Sequence, residues 1–182
     1  YTLTVAGTLT NNGTILATGA GTPVTAGTLT SSSATSLIRY PGNAADGAVT
    51  VKGGTYGALT LDNPGTTFTL GGNLTLLGNL SVTPGSVMAP GTTTVTLNGT
   101  NQALVGAATF YKLSKIVSAS DTLTFPATLT TTVQNDLTLQ GAAQNNPLYL
   151  RSSIPGTQAK LSLQNGGTQS ILHVDVKDSD AS

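Results

Sequence analysis

The chain contains no cysteine, and all seven of its acidic residues are Asp. The absence of cysteine excludes disulfides and thiolate metal or catalytic sites. Charged residues make up 8% of the chain, against roughly 25% in an ordinary soluble domain, and the formal net charge is zero. Such a balance gives nucleic acid or an anionic lipid surface little to bind, so we expect neither as a partner.

Long apolar runs are missing as well. No run approaches the roughly 20 residues of a membrane-spanning helix, so we predict no membrane span. No stretch supports an amphipathic helix of useful length. The chain is instead rich in Thr and Gly, with 34 and 22 residues among 182, and these are residue types of strands and of turns.

The sequence repeats itself. Residues 73–89 (NLTLLGNLSVTPGSVMA) align with residues 2–17 (TLTVAGTLTNNGTILA) across one single-residue gap. Short repeated segments cannot bury an apolar face alone and must stack on copies of themselves. The repetition therefore favours a solenoid.

Alternating Thr and Leu or Val runs recur along the chain and are separated by turn signals, such as Asn-Asn-Gly at 11–13 and Pro-Gly at 84–85. This is the pattern of half-buried strands joined by corners. We predict an all-β fold without significant helix, a single-stranded parallel β-helix that forms one domain over residues 1–182. Roughly 20 residues per coil give about nine coils. An antiparallel sandwich stays open as the alternative, because Asn-Gly corners also close hairpins.

Three segments carry a resemblance to known proteins. Residues 55–70 (TYGALTLDNPGTTFTL), residues 71–86 (GGNLTLLGNLSVTPGS) and residues 146–182 resemble repeat modules of large bacterial surface proteins. Such modules are similar to the filamentous-haemagglutinin and autotransporter-passenger class of right-handed parallel β-helices. The resemblance implies an extracellular or cell-surface location, and we expect any export signal to have been removed or to lie upstream.

A solenoid leaves unpaired backbone groups and apolar core at each end, and repeat proteins usually cover them with an atypical capping segment. Neither terminus shows an amphipathic cap, so we expect either a piece of a longer rod or ends that pair with copies of the chain, and we predict head-to-tail pairing. The predicted self-assembly residues are Tyr1, Thr2, Leu3, Thr4, Val5, Ile171, Leu172, His173, Val174, Asp175 and Val176. Contacts of this kind that do not close generate a filament.

We therefore expect a non-enzymatic structural subunit of an extracellular bacterial filament or adhesive stalk. The alternative is an adhesin module that binds carbohydrate, or a host or abiotic surface, through a lateral face. Tyr56 and Phe110 fall at matching positions of a second correspondence offset by 54 residues. They predict stacked aromatics inside the coil or at a corner, or a sugar platform if exposed.

Little in the sequence indicates chemistry. His173 and Asp175 lie two apart in one predicted strand, but no nucleophile completes a catalytic set. We predict no catalytic residue and no cofactor. The oxygen ligands of Asp175, Asp178 and Asp180 lie close in sequence and are the candidates for a Ca²⁺ site.

Overall fold

Short strands separated by tight corners make up this protein. The computed structural model describes residues 2–42, 47–164 and 166–181, which form strands and no helix. The strands of these residues are β1 (Leu3–Thr10), β2 (Thr14–Leu16), β3 (Val24–Thr30), β4 (Leu37–Tyr40), β5 (Ala48–Val51), β6 (Gly54–Tyr56), β7 (Ala58–Leu61), β8 (Thr67–Leu70), β9 (Leu74–Leu76), β10 (Leu80–Val82), β11 (Val87–Ala89), β12 (Thr94–Leu97), β13 (Gln102–Val105), β14 (Thr109–Ile116), β15 (Asp121–Phe125), β16 (Thr130–Gln140), β17 (Leu148–Ser152), β18 (Ala159–Leu163), β19 (Thr168–Leu172), β20 (Val174–Lys177) and β21 (Ser179–Ala181).

The chain winds through these strands as a β-solenoid of about eight turns. Sheet 1 runs β2-β4-β7-β10-β13-β15-β17-β20. Sheet 2 runs β6-β9-β12-β14-β16-β18-β21, and β19 also pairs with β16. Sheet 3 consists of β5, β8 and β11, and β1 pairs with β3 at the start of the chain.

All ladders between the described strands are parallel. Antiparallel pairing among the described residues is limited to isolated bridges, Ala127 with Ala159 and Ala143 with Asn146. The predicted parallel β-helix is confirmed, and the antiparallel sandwich is wrong.

Turns are longer toward the C-terminus than the repeat length predicts. Leu59 pairs with Leu80, 21 positions along the chain, whereas Asp121 pairs with Leu148, 27 positions along. Additional corner residues cause the difference, including the bridged turn from Ala143 to Asn146 between β16 and β17. The chain therefore completes about eight turns rather than nine.

The core consists of side chains stacked in columns along the solenoid. In sheet 1, Ile38, Leu59, Leu80 and Leu104 pair in succession, and all four side chains are buried. Successive residues of a strand point to opposite faces, so Thr60 and Ser81, which follow Leu59 and Leu80, face outward. Each buried aliphatic side chain contributes about 1.5–3 kcal/mol through removal from water, and one hydrophobic cluster runs from Ala17 to Leu161.

Glycine at the corners allows the turns to stack closely. Gly106 has a φ of 82°, and a Cβ atom added there would lie 1.8 Å from the carbonyl oxygen of Val82 in the turn below. A side chain is excluded by that contact as well as by the left-handed backbone. No helix among the described residues is long and apolar enough to cross a bilayer.

Candidate functional site

The first turn has a ladder partner on one side only. Within the described part of the chain, β1 pairs only with β3 and β2 only with β4. The predicted end residues Leu3, Thr4 and Val5 lie in β1, and Thr2 immediately precedes it. Tyr1 lies outside the described residues.

The last turn is one-sided in the same way. β19 pairs with β16, β20 with β17 and β21 with β18, and the described residues provide no further partner. Ile171 and Leu172 end β19, whereas Val174, Asp175 and Val176 lie in β20. The predicted strand that would carry both His173 and Asp175 is therefore wrong, because the chain turns a corner between Leu172 and Val174.

His173 forms that corner with a φ of 51°, and its carbonyl oxygen accepts a hydrogen bond from the backbone N–H of Leu148. The corner separates His173 from the strand that carries Asp175. The two side chains therefore do not share one strand face, contrary to the prediction from the sequence.

Core columns are open to solvent at both end turns. Leu3 pairs with the buried Val24 and is 41% exposed. At the other end, Ile171 pairs with the buried Leu139 and is 50% exposed. Val176 likewise continues the column of a buried leucine and is 56% exposed. Covering each of these half-exposed side chains would contribute roughly 1 kcal/mol.

The two end turns differ in charge. Residues 1–38 contain no charged side chain. The last turn carries Asp175, Lys177, Asp178 and Asp180. Leu16 in β2 is 59% exposed in the first turn and was not predicted from the sequence; it pairs with the exposed Arg39 and so faces outward. Its strand is short, and an NNG turn precedes it, so no long alternating run marks it.

Exposed ion pairs join neighbouring turns along the sides. Lys112 Nζ lies 2.5 Å from Asp136 Oδ2, and Arg39 pairs with Asp62. The pKa of Asp62 is lowered by a hydrogen bond from Thr83 and by the Arg39 guanidinium. Pairs this exposed add little to the stability of a fold.

The structure does not gather the three calcium candidates. Asp175 Oδ1 pairs with Arg151 Nη2 at 2.8 Å. Asp178 Oδ2 accepts a hydrogen bond from the backbone N–H of Gly156 at 3.0 Å, and Asp180 lies in β21 opposite Lys160. Among the described residues, no three His, Cys, Asp or Glu side chains are placed to hold one metal ion.

Tyr56 and Phe110 are completely buried, so they form no sugar platform. Their predicted equivalence is also wrong. Tyr56 pairs with Leu76, and Leu97 continues that column. Phe110 instead pairs with Val133 ahead of the irregularity in β14. The offset of 54 residues fails because successive turns differ in length.

A buried polar cluster, which was not predicted from the sequence, lies between two turns of the core. Lys115 Nζ lies 2.7 Å from Asp121 Oδ2 and donates hydrogen bonds to Gly99 O at 2.8 Å and Gln102 Oε1 at 3.1 Å. Lys115, Gln102 and Asp121 are all buried. The sequence gives one signal for Lys115. It lies two residues after the inward Leu113, so the alternation of the strand places its side chain inward as well.

Asp121 is ionised within this cluster. Burial raises the pKa of its carboxyl, but hydrogen bonds from Asn101 N–H, the Lys115 ammonium and Thr122 N–H outweigh burial and hold the pKa below its usual value. Oδ1 accepts both backbone bonds, at 2.7 Å and 2.8 Å. Oδ2 is left facing Lys115.

No family model, no curated protein and no solved structure matches this chain. Function is therefore inferred from its end turns, its outer surface and its buried polar cluster.

Proposed function

We propose that this chain is a non-enzymatic structural unit of an extracellular bacterial filament or adhesive stalk, in which solenoid units stack head to tail. A module of the filamentous-haemagglutinin and autotransporter-passenger type would have this role. The observation that carries the proposal is the exposure of core columns at both end turns, at Leu3 in the first and at Ile171 and Val176 in the last.

Strand geometry supports stacking of a second copy. β2 and β20 are the two ends of sheet 1, and all of its ladders are parallel. A copy placed on the last turn therefore offers β2 to β20 in the direction that the ladder already has. Such strand addition pairs backbone N–H and C=O groups and covers apolar side chains at the same time.

The outer surface is compatible with long rods. Outward positions of the strands are largely Thr and Ser, and the formal net charge of the chain is zero. Units of this kind repel each other weakly, so stacking has little electrostatic repulsion to overcome.

The test uses blocked ends. Ile171→Asp with Val176→Asp blocks the last turn, and Leu3→Asp with Val5→Asp blocks the first, because each of these residues pairs with a buried core residue of the neighbouring turn. We expect concentration-dependent rods from the wild-type chain by electron microscopy and light scattering, and monomers from each double variant alone. An equimolar mixture of the two variants should form dimers that grow no further, because each retains one open end.

Val105→Asp is the matched control, since Val105 is 51% exposed on a lateral position of β13. It should assemble as the wild type does. Monomeric wild-type chain at high concentration, or an equal loss of assembly in the control, contradicts self-association through the end turns.

An adhesin that acts through a lateral face is the second candidate, and one cluster favours it. The Arg151 guanidinium lies 4.8 Å from the centre of the Tyr149 ring, and Arg151 also pairs with Asp175. An aromatic ring beside hydrogen-bonding charges offers a sugar both a stacking surface and polar partners. This function predicts retention on a glycan array that Tyr149→Ala abolishes and Tyr111→Ala preserves.

A further inference from the structure

Lys115 is placed as a nucleophile inside the core. Its side chain is completely buried, and the described residues around Nζ offer it Gly99 O, Gln102 Oε1 and Asp121 Oδ2. Removal from water and fixed geometry are the conditions under which a lysine amine reacts with a neighbouring carbonyl group.

The Gln102 carboxamide is held in place as the carbonyl group that Lys115 can attack. Its Oε1 receives hydrogen bonds from the Gly99 backbone N–H at 2.9 Å and from Lys115 Nζ at 3.1 Å, while its Nε2 donates to Leu76 O and Gly78 O. When Lys115 Nζ moves from this oxygen to attack the carbon, the Gly99 N–H stays and stabilises the negative charge that develops on the oxygen.

Asp121 is the proton acceptor of the cluster. Its Oδ2 lies 2.7 Å from Lys115 Nζ, and its Oδ1 is fixed by backbone N–H groups. A carboxylate at this distance can take a proton from the ammonium and return it to a leaving nitrogen.

We propose that Lys115 and Gln102 join in an intramolecular isopeptide bond, with Asp121 moving the protons. Asp121 accepts one proton from the Lys115 ammonium, and the neutral Nζ attacks Cδ of Gln102. The Nζ–Cδ bond forms and the Cδ–Nε2 bond breaks. Of the three ammonium protons, one stays on the new amide and two leave with Nε2 as ammonium, so Asp121 ends as a carboxylate. No oxidant or co-reactant takes part.

A route for the released nitrogen adjoins the cluster. A small open cleft of about 150 Å³ is lined by Gly99 and Asp121 of the cluster and by Ser118 and Ser120. The absence of a side chain at Gly99 makes room for the carboxamide, because a Cβ atom there would lie 3.1 Å from Gln102 Cδ.

The bond would connect two sheets of the solenoid within less than one turn. Gln102 lies in β13 and Lys115 in β14, and these strands belong to sheets 1 and 2. A covalent link between them closes a loop from Gln102 to Lys115 and resists unwinding of the chain between the two strands. The proposal is independent of head-to-tail assembly.

Intact-mass measurement of the folded wild-type chain tests the bond. We expect a mass lower than that of the sequence by one ammonia, and proteolysis should yield a linked peptide pair that joins positions 102 and 115. Lys115→Met and Asp121→Ala should restore the full sequence mass. Lys112→Met, at an exposed lysine of the same strand, should keep the loss of ammonia.

The wild-type mass decides the matter even where a variant fails to fold. A circular-dichroism spectrum of β-structure together with the full sequence mass overturns the proposal. Loss of one water, with a link from Lys115 to Asp121, would show that Gln102 is not the residue that Lys115 attacks. Loss of ammonia that persists in Asp121→Ala overturns the role of the carboxylate.

Discussion

Ile171 lies directly above Leu139 in neighbouring strands, yet Leu139 is completely buried and Ile171 is half exposed. The two side chains occupy one column of the core and differ in whether another turn follows. The exposure of Ile171 is therefore a property of its place at the end, since the same column is closed one turn earlier.

This pair gives a direct comparison of stability. Leu139→Ala leaves a cavity in a closed core and should lower the free energy of unfolding by about 2–5 kcal/mol. Ile171→Ala removes a side chain already in contact with water and should cost less than about 1 kcal/mol. Urea denaturation of the isolated chain under monomeric conditions measures both, and equal costs would contradict the open column.

Association of the ends should depend weakly on salt. Residues 1–38 are uncharged, so the charges of the last turn meet no opposite charge in the first. We expect the association constant to change less than about threefold between roughly 0.05 and 0.5 M NaCl, over which exposed ion pairs are strongly screened. Light scattering across this range provides the measurement, and a tenfold loss would indicate an electrostatic interface.

The carboxyl of Asp62 should titrate below its ordinary pKa of 3.8, because the Thr83 hydroxyl and the Arg39 guanidinium favour its charged form. A pKa lowered by folding contributes stability that is complete above the unfolded pKa and is lost as pH falls through the folded one. At this exposed site the lowered pKa contributes at most about 0.5 kcal/mol of stability.

NMR titration of the Asp62 carboxyl carbon checks the direction. Thr83→Val removes the hydroxyl donor to Oδ1 and should raise the pKa toward its ordinary value. Thr96→Val, in another turn, should leave the pKa unchanged. A wild-type pKa above 3.8 would be inconsistent with the contacts around this carboxyl.

Gly106→Ala should destabilise the fold strongly. The new Cβ atom would lie 1.8 Å from Val82 O at a φ of 82°, so both the backbone and the contact between turns must shift. We expect a loss of more than about 2 kcal/mol. Gly13→Ala, where a Cβ meets nothing within 4 Å, should change stability by less than about 0.5 kcal/mol. Thermal unfolding of the two variants provides the comparison.

Strict alternation explains which strands could be predicted from sequence. Residues 48–51 and 67–70 alternate inward Val, Phe or Leu with Thr or Ala, and the structure has strands with these bounds. The strands Thr14–Leu16 and Val87–Ala89 lack this alternation, because Leu16 and Val87 are apolar yet exposed. Their pairing with neighbouring turns, a long-range effect, makes them strands.

The end turns could be located from sequence, but their corners could not. His173 adopts a positive φ without being Gly or Asn, so no turn signal marks the break between β19 and β20. Lys115 escaped prediction for another reason. Lysine is almost never fully buried unless it is paired, and its partners Gln102 and Asp121 meet it only through the fold.

Each turn of this solenoid rests only on its two neighbours, and the outermost turns rest on one. Loss of structure should therefore begin at the extremities and proceed inward rung by rung. Amide hydrogen exchange would then follow a gradient, fastest in β2 and β20 and slowest near β12, because the central turns are protected by a neighbour on both sides.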